Sequence, residues 1–306
     1  MRVTANSFPI DLQNQMQDLM TKQAALQKQA ATGQRISKPS DDPRAMRRVL
    51  DLNSEIKALH QYRDNMNKVQ EYTDVAYGSV SALKKISDRA SEIATMADGM
   101  RGPDHMKAYA QEVNQMIEEA VRVANGKHRN VFMFSGTKTT TAPFEASRNT
   151  DGKISAVTYK GNANIIQTDV AEFSSVPVNF LGEGPQGIIK NTTTGSDFIR
   201  NLISLRDNLE TNNATAIKET DLVNLGKDES NFITHFSNIG AIQSRLETSD
   251  AISLKRLDAL DPLISQEADV DLAQTLVRLN EIQNSYTAAL QTGARLLQTS
   301  LLDYVR

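Results

Sequence analysis

The chain of 306 residues has no cysteine, no tryptophan and only four histidines. Without cysteine there is no disulfide, no thiolate metal site and no thiol nucleophile. Such a chain suits passage, unfolded, from a reducing to an oxidising space. Long hydrophobic runs are also missing. No stretch approaches the roughly 18 apolar residues of a membrane span, so no membrane insertion is expected. The start, MRVTANSFPIDLQNQ, lacks the basic opening and apolar core of a secretory signal peptide, so export would need a route that uses none. With a net charge of −3 there is no global basic field to recruit nucleic acid. Charged residues make up 23% and aromatics 5%, an ordinary helix-leaning profile.

The chemistry of active sites is equally thin. His60, His105, His128 and His235 do not pair with one another or with a carboxylate at ligand spacing, so structural roles are expected for them. Asp41-Asp42 is explained by a helix N-terminus without a metal. Gly136-Thr137-Lys138-Thr139 lacks the spacing of a phosphate-binding loop. Lys84-Lys85 and Arg44, Arg47 and Arg48 are interleaved with acids and read as solvated helix faces. Asn191-Thr192-Thr193 and Asn213-Ala214-Thr215 fit an N-glycosylation pattern that matters only in a host with that machinery. No set of titratable groups converges, so no enzyme, no metal and no cofactor is expected.

What the sequence does have is symmetry about its middle. Leu12, Met16, Leu19, Gln23, Leu26 and Ala30 alternate spacings of four and three, a heptad seam interrupted by Gln23. It stops at Gly33, and the breaker Gln34-Arg35-Ile36-Ser37-Lys38-Pro39-Ser40-Asp41-Asp42-Pro43 follows. A long helix is predicted to restart with Asp42 as N-cap and Pro43 at its first position. Val49, Leu52, Ile56, Leu59, Met66, Val69, Val80, Leu83, Ala90, Ala94 and Ala97 carry it to near Gly99. At about 1.5 Å per residue it would span roughly 80 Å. A third helix follows Gly102-Pro103 and ends near Gly126.

The texture then changes. Eight of the fifteen glycines lie between Gly126 and Gly195, and Ile154–Lys160 and Ile165–Val170 read as strands. Asp151-Gly152 and Gly161-Asn162 are turn signals, so a small antiparallel β module is predicted here. Helix returns at Asp197–Leu209 and from about Asp228, with Asp261-Pro262 as a candidate kink. Glu267-Ala268-Asp269-Val270-Asp271 is an acidic restart before a last helix carrying Leu272, Leu276, Leu279, Ile282, Tyr286, Ala289, Leu290, Leu296 and Leu297. The fold class expected is therefore mainly α with a small β insert, its long N- and C-terminal helices paired.

The ends look like assembly surfaces. Between residues 1 and 33 the charges are Arg2, Asp11, Asp18, Lys22 and Lys28, alongside six glutamines. From 271 to 306 they are Asp271, Arg278, Glu281, Arg295, Asp303 and Arg306. An exposed two-helix coiled coil usually carries dense Glu and Lys beside its seam. Amides and hydroxyls in their place accept burial between neighbouring subunits at lower desolvation cost. The expected assembly interface is Leu12, Met16, Leu19, Leu26, Leu272, Leu276, Leu279, Tyr286, Leu290 and Leu297. Replacing Leu276 and Leu279 by Asp is expected to block assembly.

Four motifs in order carry a resemblance. The stretch Gly33–Pro43, and within it Lys38-Pro39-Ser40-Asp41-Asp42-Pro43, resembles the linker after the N-terminal helix in flagellin-like proteins, in the form seen in the hook-associated protein 3 family. Phe132-Met133-Phe134-Ser135-Gly136-Thr137 with Ala142-Pro143-Phe144 is similar to that family's approach to its β domain. Glu267–Ala273 resembles its acidic restart, and Ser300-Leu301-Leu302-Asp303-Tyr304-Val305 its ending. Phe8-Pro9 departs from the family's polar start.

The resemblance implies three layers. These are an inner D0 from residues 1–38 and 268–306, a helical D1 from 39–138 and 196–267, and an outer antiparallel D2 from 139–195. Pro39, Ser40, Asp41, Asp42 and Pro43 would link D0 to D1. It implies a structural subunit of the bacterial flagellum, an adaptor between hook and filament on which flagellin assembles, lying outside the cell after flagellar type III export. Its partners would be other copies of itself, the other hook-associated junction protein, flagellin and an export chaperone. Flagellin itself is the near alternative, and an intracellular coiled-coil scaffold the alternative from another class. Residues 1–35 and 270–306 are expected to be mobile in a lone subunit and helical in the assembly, because a two-helix pair has little core. Amide hydrogen exchange on the monomer should find weak protection there. Protection equal to that of the central helices would refute the expectation.

Overall fold

A computed structural model of the chain describes residues 7–97 and 102–304, with side chains described over 10–97 and 102–295. Helix α1 is Ser7–Thr32, α2 Pro43–Met96 and α3 Pro103–Ala124. Nine short strands follow: β1 Lys127–His128, β2 Val131–Phe132, β3 Phe144–Arg148, β4 Ile154–Tyr159, β5 Gln167–Ala171, β6 Ser174–Pro177, β7 Leu181–Gly184, β8 Gly187–Asn191 and β9 Ser196–Asp197. Then come α4 Phe198–Glu210, the single turn α5 Ala214–Ala216, a π-helical turn at Ile217–Asp221, α6 Leu222–Ala268 and α7 Leu272–Tyr304. The order is the one predicted: helices, a β insert and helices again. The second long helix starts at Leu222 rather than near Asp228, and it runs through Pro262 without a break.

The strands pair as β1–β2, β3–β4, β5–β6 and β8–β9 antiparallel, while β7 runs parallel to β8. Asp151-Gly152 lies between β3 and β4, as the turn signal predicted.

The chain divides into two compact units, Met1–Ala58 with Lys255–Arg306, and Leu59–Leu254. In the first, α1 and α7 form an antiparallel pair. The second holds the main core. Amphipathic α3 buries Met106, Ala110, Val113, Ile117, Ala120 and Ala124 at helical spacing, facing α4. Phe198 of α4 meets Phe232 of α6 edge to face at 5.0 Å. Phe144, Ile154, Ile188 and Ile189 from the strands belong to that same core. A smaller cluster seats the β5–β6 hairpin, through Val170 and Val176, on Met66, Val69 and Leu246.

A polar stripe on α6, Asp228, Asn231 and His235, is buried against the strands and α4, and two of its members satisfy carbonyls of β8. Asn231 Nδ2 donates to the Gly187 and Ile188 carbonyls at 3.1 and 2.9 Å, and His235 Nε2 lies 3.2 Å from Gly187 O. Asp228 accepts from Ser196 Oγ at 2.6 Å and from Asn201 Nδ2 at 2.7 Å. These groups are buried, so each bond replaces water that the core excludes.

Burial pushes the Asp228 carboxyl up to about 6. An unfolded aspartate titrates near ~3.9. The favourable contribution of protonated Asp228 is therefore complete below that value and is lost as pH rises through about 6. His235 opposes it: burial holds its pKa below the ordinary value, so its contribution is lost as pH falls. Asp228→Asn removes the first effect and leaves the second. Relative to that variant, the native chain should gain about 1 kcal/mol of stability between pH 7 and pH 5. Thermal unfolding of both proteins at the two pH values checks this, and parallel pH dependences would refute it.

Candidate assembly surface

The first unit is built on one seam. Along α1, Leu12, Met16, Leu19, Gln23, Leu26 and Ala30 are all half-buried while their neighbours on the outer face are exposed. The four-three register read from the sequence is thus the face turned to α7. The answering residues on α7 are Thr275, Leu279, Ile282, Tyr286, Ala289 and Gly293, again spaced four and three. At Gly293 the helices approach so closely that a Cβ would lie 2.7 Å from Leu12 Cδ2.

This splits the residues expected at the assembly interface. Leu12, Met16, Leu19 and Leu26, with Leu279 and Tyr286, lie half-buried along the intrachain seam. Leu272, Leu276 and Leu290 do not: they remain 48%, 50% and 43% exposed, and Val277 is more exposed still. The side chain of Leu297 and the Ser300–Val305 ending lie outside the described side chains. Two heptad stripes run side by side on α7 and share Leu279 and Tyr286. The one that faces α1 is marked by the small residues Thr275, Ala289 and Gly293, a signal that hydrophobicity alone passes over. The other presents leucines to solvent, with Ile10 and Met20 exposed on α1.

Both helix breaks lie at one level of this unit. Gly33 ends α1 with φ of 71°, a left-handed conformation that glycine adopts without strain. Its carbonyl accepts from Val270 N at 2.9 Å, and Arg35 N donates to Ala268 O at 2.7 Å. Gln34 and Asp269 thereby form an antiparallel bridge between the two ends of the chain. Arg48 binds Glu267 through two parallel bonds of 2.8 Å, and Arg35 Nη2 donates to the Glu267 carbonyl at 2.7 Å. Such exposed pairs contribute little stability alone but fix register.

The residues expected to form the linker close a turn and cap the helix that follows. Lys38 O accepts from Asp41 N at 3.0 Å, closing a turn with Pro39 and Ser40 at its centre. Asp41 Oδ2 accepts from the amides of Ser37 and Lys38 at 3.0 and 2.9 Å. Asp42 Oδ1 accepts from the amides of Arg44 and Ala45 at 3.2 and 3.1 Å, so Asp42 is the N-cap of α2 and Pro43 its first residue, as predicted. The Ser37 amide holds the Asp41 carboxyl below its ordinary pKa, the Ala45 amide does so for Asp42, and the Arg48 guanidinium for Glu267. All three stay ionised at neutral pH, and the contribution of each is lost as pH falls through its depressed value. Asp271 Oδ1 caps α7 by accepting from Gln274 N at 3.0 Å.

Among the described residues, no group of three or more His, Asp or Glu could hold a metal ion, and no helix is long and apolar enough to cross a membrane.

Comparison with known proteins agrees with this architecture. Residues 4–139 match the bacterial flagellin N-terminal helical region. Over 302 residues the chain is 24% identical to flagellar hook-associated protein 3 of Escherichia coli K12, covering 90% of this chain and 93% of that protein. It is 23% identical to a 30.7 kDa flagellar filament core protein of Treponema maltophilum, covering 81% of this chain and 79% of that one. Among solved structures, a hook-associated protein of Vibrio parahaemolyticus superposes with a TM-score of 0.64 at 20% identity, covering 75% of this chain and all of that one. The flagellar junction protein FlgL of Legionella pneumophila does so at 0.58 and 15%, covering 72% and 99%. These structures share the fold over the part of the chain that they cover.

Proposed function

We infer that this chain is a hook-associated protein 3 of the bacterial flagellum, a structural subunit at the junction between hook and filament on which flagellin assembles. The similarity to hook-associated protein 3 along nine-tenths of the chain carries this reading. The terminal helix pair supplies the physical means. Its seam is satisfied within the chain, and its second leucine stripe is left for neighbouring subunits. Burying three half-exposed leucines stabilises by roughly 1 kcal/mol each, and the gain repeats at every subunit.

On this reading the functional partition is the threefold one: an inner layer from 1–38 and 268–306, a helical layer from 39–138 and 196–267, and an outer layer from 139–195. Leu12, Met16, Leu19 and Leu26 hold α1 on α7, with Leu279 and Tyr286 opposite, while Leu272, Leu276, Leu290 and Leu297 meet neighbours. Pro39, Ser40, Asp41, Asp42 and Pro43 carry force between the first two layers. The role is mechanical, not catalytic. The partners are further copies of the chain, the other hook-associated junction protein and flagellin. An export chaperone accompanies the chain to the flagellar type III apparatus, which delivers it outside the cell.

The relationship to a filament core protein favours one second reading, that the chain is itself a filament subunit. Deleting the gene separates the two. Electron microscopy should show bare hooks, with flagellin shed into the medium. Bare hooks in cells with no other flagellin would make this chain the filament subunit. Normal filaments would overturn the flagellar reading.

A further inference from the structure

In the second unit, β3 and β4 form a two-stranded sheet, so each has an outer edge. The outer edge of β3 is covered at Phe144. Asn125 Nδ2 donates to Phe144 O at 2.8 Å, and Asn125 Oδ1 accepts from Phe144 N at 2.9 Å. Those two bonds also fix the phase of the ladder. Opposite residues of an antiparallel pair alternate between bonding each other and turning their amides away. Phe144 turns away from β4, so Tyr159 opposite it turns away from β3. Val157, two positions earlier and opposite Ala146, does the same. The N–H and C=O of Val157 and Tyr159 therefore lie along the outer edge of β4, with the two residues about 7 Å apart. Among the described residues, none of these four groups has a hydrogen-bond partner.

An open groove of about 470 Å³ follows this edge. Every residue of the stretch 155–159 lines it. A strand that turns a face to a cavity contributes every second residue, so β4 meets the groove edge-on. The other walls bring Ile189 of β8 with Ile199 and Ile203 of α4. The formal charges in the groove cancel: Lys190 pairs with Glu183 at 2.7 Å, and Asp197 and Arg200 supply one of each sign. Folded proteins blunt a free strand edge with lysine, proline or a covering element. Residues 155–159 read Ser-Ala-Val-Thr-Tyr, with neither charge nor proline. A register shift opposite Arg148 and the Arg206 Nη1 bond to Ile154 O, at 2.7 Å, close only the start of the strand.

We propose that this edge takes up an extended segment of another flagellar subunit, which joins β3 and β4 as a third strand. The unpaired backbone groups decide the kind of occupant. A helix spends its backbone bonds on itself, whereas a strand offers N–H and C=O groups at the same two-residue spacing. The uncharged edge and the cancelling charges of the groove fit a segment without net charge, since an unpaired charge there would lose its water uncompensated. Apolar side chains at alternate positions of that segment meet the isoleucines of the groove. The inference rests on the reading of the chain as an assembling flagellar subunit and adds to it a contact outside the terminal helices.

The test compares amide hydrogen exchange, residue by residue, in the free full-length chain and in isolated flagella. In the free chain the amides of Ala156 and Thr158, which face β3, should exchange slowly and those of Val157 and Tyr159 fast. In flagella the second pair should slow by about a hundredfold or more. Val157→Pro removes one outward N–H and leaves the ladder to β3 in place. In flagella built with that variant, the protection of Tyr159 should fall by about tenfold or more. Circular dichroism of the free variant checks its fold, and if it fails to fold the native comparison decides alone. The inference is overturned if Val157 and Tyr159 are already slow in the free chain, if they exchange as fast in flagella as in the free chain, or if the protection of Tyr159 survives in a folded Val157→Pro. A chain absent from the flagella altogether would overturn the parent reading, and this contact with it.

Discussion

Two helices packed side by side cover only one stripe on each other, and α7 carries two. The stripe through Thr275, Ile282, Ala289 and Gly293 lies against α1, where small residues let the backbones come close. The stripe through Leu272, Leu276 and Leu290 has no counterpart on α1 and faces water. One terminal helix therefore carries more apolar surface than its partner covers, and on the proposed reading neighbouring subunits cover the excess. Charge is scarce along the same segments, which keeps the desolvation cost of covering the stripe low.

A helix pair keeps one register within its unit only if it is fixed to the elements beside it. The two helix breaks are therefore tied to each other. The Gln34–Asp269 bridge sets the register of the two chain ends, and the Arg48–Glu267 pair joins the start of α2 to the end of α6. The polar residues of the linker are spent on closing its turn and capping its helices, through Asp41 and Asp42. Helix α1 does not run on into α2 because Gly33 turns left-handed and Pro39 lacks the amide hydrogen a helix interior needs.

Much of this was legible in the residues. The seam of α1, the cap at Asp42, the helix behind Gly102-Pro103 and the turn at Asp151-Gly152 are local signals, and local geometry obeyed them. The division of α7 into an inner and an outer stripe was not legible, because Leu279 and Tyr286 fit both registers and leucine outweighs Thr275 and Gly293 on any hydrophobic reading. Leu279, expected at the assembly interface with Leu276, is half-buried on the face turned to α1. The polar stripe of Asp228, Asn231 and His235 was hidden for a related reason. Asn231 and His235 meet backbone carbonyls of β8 more than 40 residues away in sequence, and Asp228 meets the side chains of Ser196 and Asn201, about 30 residues away, so no local pattern announces them. The parallel pairing of β7 with β8 and the early start of α6 are likewise set by tertiary packing rather than by propensity.

The central claim is that the outer stripe of α7 joins subunits while the inner one joins α7 to α1. Replacing Leu272 and Leu276 together by Asp tests it most directly, since both lie on the outer stripe only. The account predicts a chain that reaches the medium with the circular dichroism and thermal unfolding of the native protein, yet is absent from isolated flagella and does not support motility. Normal incorporation and swimming would contradict it.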